Sequence, residues 1–214
     1  MSTESYLKSI PKVELNLQFE GAVPRETMLM FADQNEMSEQ VKRFSKWLKL
    51  YDEPDFNKLD DLTDMLRSWL QYGDDLTRAV YDIGVRLSKD NVRYAEITIN
   101  PLSFVTGDLT FNEFLEALND GRDRAERAWG VQMRWIMAVP RAEPRYADEI
   151  VRWATSTTAK DGGVVAVALV GYNYPKGATI DQFERAFKTA EKKELARIAH
   201  LNASDDLDEA IDTL

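Results

Sequence analysis

Side chains able to carry out metal or nucleophilic chemistry are few in this chain. It contains no cysteine and a single histidine, His200. The absence of cysteine excludes disulfides, thiolate metal sites and cysteine nucleophiles. One imidazole cannot supply the two or three histidine ligands that most catalytic zinc sites take from one chain. Any metal site must therefore combine His200 with a carboxylate such as Glu20 or with residues of a partner chain.

Composition and charge narrow the class of protein. The chain has 214 residues, 27 basic and 37 acidic side chains, a formal net charge of −10 and 44% hydrophobic residues, the balance of a soluble globular protein. The acidic balance argues against nucleic-acid binding, which needs clustered Lys and Arg. The most apolar stretch, Val164–Val170, is far shorter than the roughly 20 residues of a membrane-spanning helix. The first residues lack the apolar core of a signal peptide, so we expect a cytoplasmic location.

Short apolar runs rich in β-branched residues alternate with longer segments of helical period. Strands are predicted at Lys12–Phe19, Val92–Ile99, Gln132–Val139, Val164–Val170 and Ala196–Leu201. Helices are predicted at Arg25–Asn35, Glu39–Leu50, Lys58–Leu70, Asp74–Ser88, Phe111–Trp129, Ala147–Ala159, Ile180–Lys193 and Asp205–Leu214. Strands separated by helices predict a parallel sheet in an α/β fold, with a helical insert after the first strand. No linker interrupts the pattern, so we expect one domain over residues 1–214.

One of these helices carries a specific start signal. Thr110 and Glu113 have the spacing of a capping box immediately before and within the first turn of the helix predicted from Phe111. In that motif the acidic side chain reaches back to a free backbone N–H.

Functional residues of parallel α/β folds lie at the carboxyl ends of the strands and in the loops that follow. The first strand, within IPKVELNLQFEGA, resembles the "PK-x-ELH-x-H-x-(D/E)-GA" opening of the adenosine deaminase family of the amidohydrolase superfamily. The resemblance continues in order along the chain, at Val92–Pro101, Gly121–Val131, Val164–Gly171 and Ala199–Ala203. It implies a partial TIM-type (β/α) barrel of about five parallel strands, out of about eight (β/α) units in a complete barrel.

The resemblance also implies where a metal would bind. Family members place two histidines, two residues apart, on the first strand so that both point into the barrel and bind zinc. Asn16 and Gln18 stand at those positions, and His200 matches a third ligand. Neutral amides are poor zinc ligands. We therefore expect an interior polar pair, hydrogen-bonded in place of a metal, and no cofactor unless a partner chain completes a zinc site.

For the remaining site residues the resemblance separates catalysis from binding. In the family, a zinc-bound hydroxide attacks C6 of adenine while a glutamate protonates N1. Ala203 stands at the position of that glutamate, so no catalytic residue is intact. Glu20 matches the acidic residue that contacts the nucleoside sugar, and Gly171 matches the glycine whose backbone N–H approaches the purine. These two residues are the predicted substrate-binding positions for a purine nucleoside.

An unclosed barrel has two sheet edges that invite pairing. We expect a homo-oligomer, a partner chain or the C-terminal helix to cover them. Three functions stay open. The first is a catalytically inactive adenosine deaminase-like protein, a pseudoenzyme or a truncated or engineered fragment, acting by binding or assembly. The second is a component of a purine deaminase, completed by a partner chain, that removes the 6-amino group of adenosine or adenine. The third is a nucleoside sensor that regulates a partner without chemistry.

Overall fold

The computed structural model describes residues 2–37, 39, 41–42, 58–105, 109–171 and 179–201. In this part of the chain the helices are α1 (Thr3–Ser9), α2 (Phe19–Ala22), α3 (Arg25–Gln34), α4 (Leu59–Ser68), α5 (Gly73–Lys89), α6 (Phe111–Trp129), α7 (Ala147–Ala154), α8 (Thr157–Asp161) and α9 (Asp181–Lys192). The strands are β1 (Lys12–Gln18), β2 (Val92–Ile99), β3 (Gln132–Pro140), β4 (Val164–Val170) and β5 (Ala196–Ala199). Short 3-10 helices cover Pro101–Ser103 and Pro144–Tyr146.

The strands form one sheet in the order β1-β2-β3-β4-β5. Strands β3 and β4 pair in parallel from Ile136 opposite Ala166 to Pro140 opposite Val170. Strands β4 and β5 pair in parallel from Ala166 opposite Ala196. Consecutive order with helical connections is the arrangement of a (β/α) barrel. The predicted α/β fold, a partial TIM-type barrel of five parallel strands with a helical insert after the first, is confirmed.

The chain divides into two compact units, one of residues 1–95 and 116–133 and the other of residues 96–115 and 134–214. In the first unit, helices α5 and α6 pack closely through glycines. A Cβ atom added to Gly84 would lie 2.5 Å from the Cβ of Ala125, and one added to Gly121 would lie 2.4 Å from the Thr77 carbonyl oxygen. Only residues without a side chain allow the two helices this approach.

In the second unit, strands β3 and β4 supply the core. Trp135, Ile136, Val167 and Ala168 are fully buried. Since both faces of these strands are covered, their near-continuous apolar sequence follows the pattern of a buried parallel sheet. The ring of Phe111 stacks on Trp153 with 5.3 Å between centroids.

The predicted capping box at the start of α6 is confirmed. The Glu113 carboxylate accepts hydrogen bonds from the Thr110 hydroxyl at 2.7 Å and from the Thr110 backbone N–H at 2.9 Å. The Glu113 backbone N–H donates to the Thr110 hydroxyl at 3.3 Å. The hydrogen bond from the Thr110 side chain, followed by that from its backbone, lowers the pKa of Glu113.

Several predicted boundaries change. The helix predicted over Ala147–Ala159 is two helices, because the Ser156 hydroxyl caps a new one by accepting from the Ala159 N–H at 3.2 Å. Strand β5 ends at Ala199 rather than at Leu201. Helix α1 was not predicted; it begins where the Ser2 hydroxyl accepts from the Ser5 N–H.

Some sequence expectations concern parts of the chain without described structure. The predicted helix Asp205–Leu214 and most of Glu39–Leu50 lie outside the described residues. Within the described residues, no helix has the length and apolar character needed to cross a bilayer.

Candidate functional site

The two amides at the family's metal-ligand positions lie near the end of β1 and contact each other. The Gln18 Nε2 donates long hydrogen bonds to the backbone oxygen and to the Oδ1 of Asn16, both at 3.4 Å. Asn16 is half-buried and Gln18 is exposed. The two side chains thus form a hydrogen-bonded pair at the surface of the strand.

Asn16 also has an unusual backbone, with φ of 56° inside a β-strand. This is the left-handed region, which asparagine tolerates better than most residues with a side chain. The local backbone therefore matches the residue that is present.

The residues that the structure describes do not fit a zinc ion. Asn16 and Gln18 offer neutral amide oxygens, which are weak ligands beside imidazole, and the sequence holds one histidine. Among the described residues, no group of three or more His, Asp or Glu side chains is placed to hold a metal. We therefore assign no chemical step to a metal bound by this chain.

The predicted sugar-contacting residue Glu20 lies at the start of α2, directly after β1. Its side chain is 6% exposed and its Oε1 accepts from the Arg67 Nε at 2.5 Å. Arg67 comes from α4, in the helical insert, and its Nη1 also contacts the Asp64 carboxylate at 2.9 Å. The charge of the buried Glu20 is thus neutralised by Arg67, and the pair fastens the insert to the end of β1.

In the second unit, three residues follow consecutive strands: Arg141 after β3, Gly171 after β4 and His200 after β5. Arg141 is 3% exposed, and its Nη1 donates to the Gly171 carbonyl oxygen at 2.6 Å. The His200 backbone N–H donates to the Leu169 carbonyl oxygen at 2.9 Å. The two predicted positions, Gly171 and His200, are therefore held in one hydrogen-bonded set of strand ends together with Arg141.

The electrostatics of this set keep His200 neutral at pH 7. Burial of the imidazole is the main cause that lowers the pKa of His200, and the positive charge of Arg141 lowers it further. A neutral imidazole offers one nitrogen as donor and the other as acceptor. The site can therefore offer a polar ligand the His200 imidazole and backbone N–H groups, whereas the buried Arg141 guanidinium donates to the Gly171 carbonyl oxygen.

Arg141 was missed by the sequence analysis, although a signal existed. It is a cation placed immediately after an apolar strand, at the same kind of position as Gly171 and His200. Ala203, the remaining predicted position, lies outside the described residues. The described site residues thus fall into two sets, one with Asn16, Gln18 and Glu20 and the other with Gly171 and His200.

A cavity of about 530 Å³ lies elsewhere in the first unit. It is lined by residues 23–27 and by four residues of α5: Asp82, Val85, Arg86 and Lys89. None of the predicted site residues borders it.

Comparison with known proteins gives a consistent result. The family model described as adenosine deaminase matches residues 11–214. The chain is 28% identical to an aminodeoxyfutalosine deaminase of Streptomyces avermitilis over 201 residues, which covers 92% of this chain and 54% of that protein. It is 26% identical to adenosine deaminase of Bos taurus, over 95% of this chain and 61% of that protein. The chain thus spans little more than half the length of the first curated relative.

Solved structures show the same fold. An N6-mAMP deaminase from Arabidopsis superposes with a TM-score of 0.80 at 20% identity, covering 96% of this chain and 63% of that one. An adenine deaminase from Arthrobacter aurescens gives a TM-score of 0.74 at 22% identity, covering 94% of this chain and 60% of that one. Since the family model spans nearly the whole sequence, this chain belongs to the adenosine deaminase family.

Proposed function

We propose that this chain is a catalytically inactive member of the family. It binds a purine nucleoside, does not deaminate it on its own, and acts through binding or assembly. The observation that carries the proposal is the pair of amides at the two ligand positions of β1. Asn16 and Gln18 hydrogen-bond each other, and neither brings the imidazole that zinc prefers.

The chemistry of deamination explains why this pair matters. Attack on C6 of an aminopurine needs a nucleophile activated at neutral pH and a donor that protonates the ring. Amides cannot activate water as a metal does, and the Ala203 methyl group cannot donate a proton. Binding makes fewer demands, because hydrogen-bond donors at the strand ends suffice. The Gly171 N–H and the His200 imidazole would supply such donors.

Ammonia release tests the proposal. The purified chain is incubated with adenosine or adenine and added zinc, and ammonia is measured beside a protein-free sample and the His200→Ala variant. We expect the three rates to agree. Turnover by the chain that disappears in His200→Ala would overturn the inactive-protein proposal.

Calorimetry tests the binding half of the proposal. We expect heat of binding with adenosine or inosine and a weaker response with free adenine, which lacks the sugar. An absence of heat with all three compounds would remove purine binding and leave assembly as the remaining role.

A second candidate function is a deaminase component completed by a partner chain. One observation favours it: β1, at one end of the strand order, exposes Val13 by 60% and Leu15 by 62%. Exposed apolar side chains on a terminal strand suit pairing with another polypeptide.

Analytical ultracentrifugation of the wild type and Leu15→Lys tests this candidate. Tyr72→Lys is the matched control, because Tyr72 is equally exposed, at 63%, but lies before α5. Association that is lost in Leu15→Lys and kept in Tyr72→Lys would support pairing through β1. A wild type that stays monomeric at all concentrations would exclude self-association through this strand.

A further inference from the structure

We infer that Arg141 is a positioning residue that aims the backbone N–H of Gly171 at a bound purine. The inference rests on the proposed purine binding and adds a residue for which neither the sequence resemblance nor the comparisons give a role. It follows from three features of the strand ends: two hydrogen bonds of Arg141, the backbone conformation of Gly171, and an N–H group of Gly171 that no described residue accepts from.

Arg141 holds both peptide groups that flank Gly171. Its backbone N–H donates to the Val170 carbonyl oxygen at 2.9 Å, and its Nη1 donates to the Gly171 carbonyl oxygen at 2.6 Å. The second is a charge-assisted bond from a side chain that is only 3% exposed, so it competes little with water. Arg141 therefore fixes the peptide plane before Gly171 and the plane after it.

Fixing the first plane also fixes the direction of the Gly171 N–H. In a trans peptide the N–H points away from the carbonyl oxygen of the preceding residue. Because the Val170 oxygen points to Arg141 on β3, the Gly171 N–H points away from β3. Among the described residues, this N–H has no hydrogen-bond partner, and Gly171 itself is exposed.

The conformation of Gly171 explains why hydrogen bonds from Arg141 are needed to order it. Its φ is 84°, and a Cβ atom added to it would meet nothing within 4 Å. Space would admit a side chain, so the requirement at this position is the left-handed backbone. A glycine has many alternative conformations, and the two bonds from Arg141 select one of them.

The consequence for binding is an ordered donor at the end of β4. A purine nitrogen or oxygen that accepts from the Gly171 N–H meets a group whose direction is already set, so little conformational entropy is lost on binding. Without the Arg141 guanidinium, the peptide plane after Gly171 is released, and only the backbone bond from Arg141 to the Val170 carbonyl oxygen still orders the donor.

The test compares Arg141→Met, Arg141→Lys and Arg145→Met with the wild type. Methionine keeps much of the aliphatic length and removes the bond to Gly171, whereas lysine keeps the charge with a different donor geometry. Arg145→Met is the matched control, because Arg145 is 72% exposed and pairs with Glu143 in the same unit. Inosine and adenosine binding is measured by calorimetry, well below each melting temperature.

We expect Kd to rise about tenfold or more in Arg141→Met, to rise less in Arg141→Lys, and to stay unchanged in Arg145→Met. A purely structural role would lower the melting temperature of Arg141→Met and leave Kd of the folded protein unchanged, and that result would overturn the inference. If Arg141→Met does not fold, Arg141→Lys decides: an unchanged Kd for this variant would overturn the inference too.

A second readout separates failure of the inference from failure of the proposed function. Backbone ¹⁵N relaxation should give Gly171 an order parameter of about 0.85 in the wild type and a lower value in Arg141→Met, where one of the two bonds is lost. Equal order parameters would overturn the positioning role of Arg141, whether or not purines bind. If the wild type binds no purine while this difference persists, the proposed function and the purine-binding role of Gly171 are overturned. The ordering of Gly171 by Arg141 would still stand.

Discussion

The end of β1 and the ends of β3–β5 both carry residues at family site positions, yet they differ in burial and in what they retain. Strand β1 exposes Val13 and Leu15, and its two ligand positions hold Asn16 and Gln18. Strands β3 and β4 are buried along most of their length. Gly171 follows β4, and His200 follows β5.

The contrast shows where sequence is restrained by packing. A buried strand residue contacts atoms on every side, so a change of size or polarity is costly. Residues on an exposed strand have few such neighbours, and polar replacements there cost little. The fold is therefore specified mainly by β3 and β4, and β1 has the freedom to hold residues unsuited to zinc.

The largest expected effect comes from one substitution made in both regions. Leu169→Ala, at a side chain that is 2% exposed, should lower the free energy of unfolding by about 2–5 kcal/mol. Leu15→Ala, at a side chain that is 62% exposed, should change it by less than about 0.5 kcal/mol. Urea unfolding measures both. Similar losses for the two variants would mean that β1 is packed as tightly as β4.

The next effect concerns the ion pair at the end of β1. Arg67→Met leaves the buried Glu20 carboxylate without this partner and should cost about 1–3 kcal/mol of unfolding free energy. Lys8→Met breaks the Lys8–Glu4 pair, in which both side chains are 76% exposed, and should cost no more than about 1 kcal/mol. Equal costs in urea unfolding would show that the buried pair does not fasten the insert.

Histidine substitutions on β1 test how far the two amides limit zinc binding. The double variant Asn16→His, Gln18→His should bind zinc at least about tenfold more tightly than the wild type, or about 1.4 kcal/mol, as measured by calorimetry. The single variant Gln18→His should gain less. We expect no ammonia release from adenosine in either variant, because Ala203 supplies no proton. Turnover by the double variant would show that the amides alone account for the loss of activity.

The smallest effect is a pH dependence from the buried set of strand ends. Because the pKa of His200 is lowered in the folded chain, the unfolded chain binds more protons near its ordinary pKa of 6.5. Stability from this residue is therefore present above pH 6.5 and is lost as the pH falls through the lowered value. His200→Gln should reduce the slope of unfolding free energy against pH between about 7.5 and 5.5. Identical slopes would mean that His200 is not desolvated.

The sequence predicted the elements with strong periodicity and missed those that depend on local contacts. The predicted runs at Val92–Ile99 and Val164–Val170 have the bounds of β2 and β4. The first is rich in β-branched residues and the second is a continuous apolar run, and both compositions favour strands. The break at Ser156 was missed, since the helical period continues across it and only the hydroxyl cap ends the first helix.

Site prediction was limited in the same way. Asn16, Gln18, Gly171 and His200 were predicted as site residues from the resemblance to the adenosine deaminase family. The partner of Glu20 was not predictable, because Arg67 is 47 residues away in the insert. The bond from Arg141 to Gly171 joins residues 30 apart, and only the parallel register of β3 and β4 brings them together.

Native mass spectrometry of the purified chain, after incubation with zinc, shows directly whether the wild-type chain retains the metal. It reads bound metal and stoichiometry in one spectrum, with Asn16→His, Gln18→His as the positive control for metal retention. We expect the wild-type protein to carry no zinc, whether it is monomeric or associated. A species carrying one zinc per chain would contradict it, and the deaminase completed by a partner chain would become the leading function.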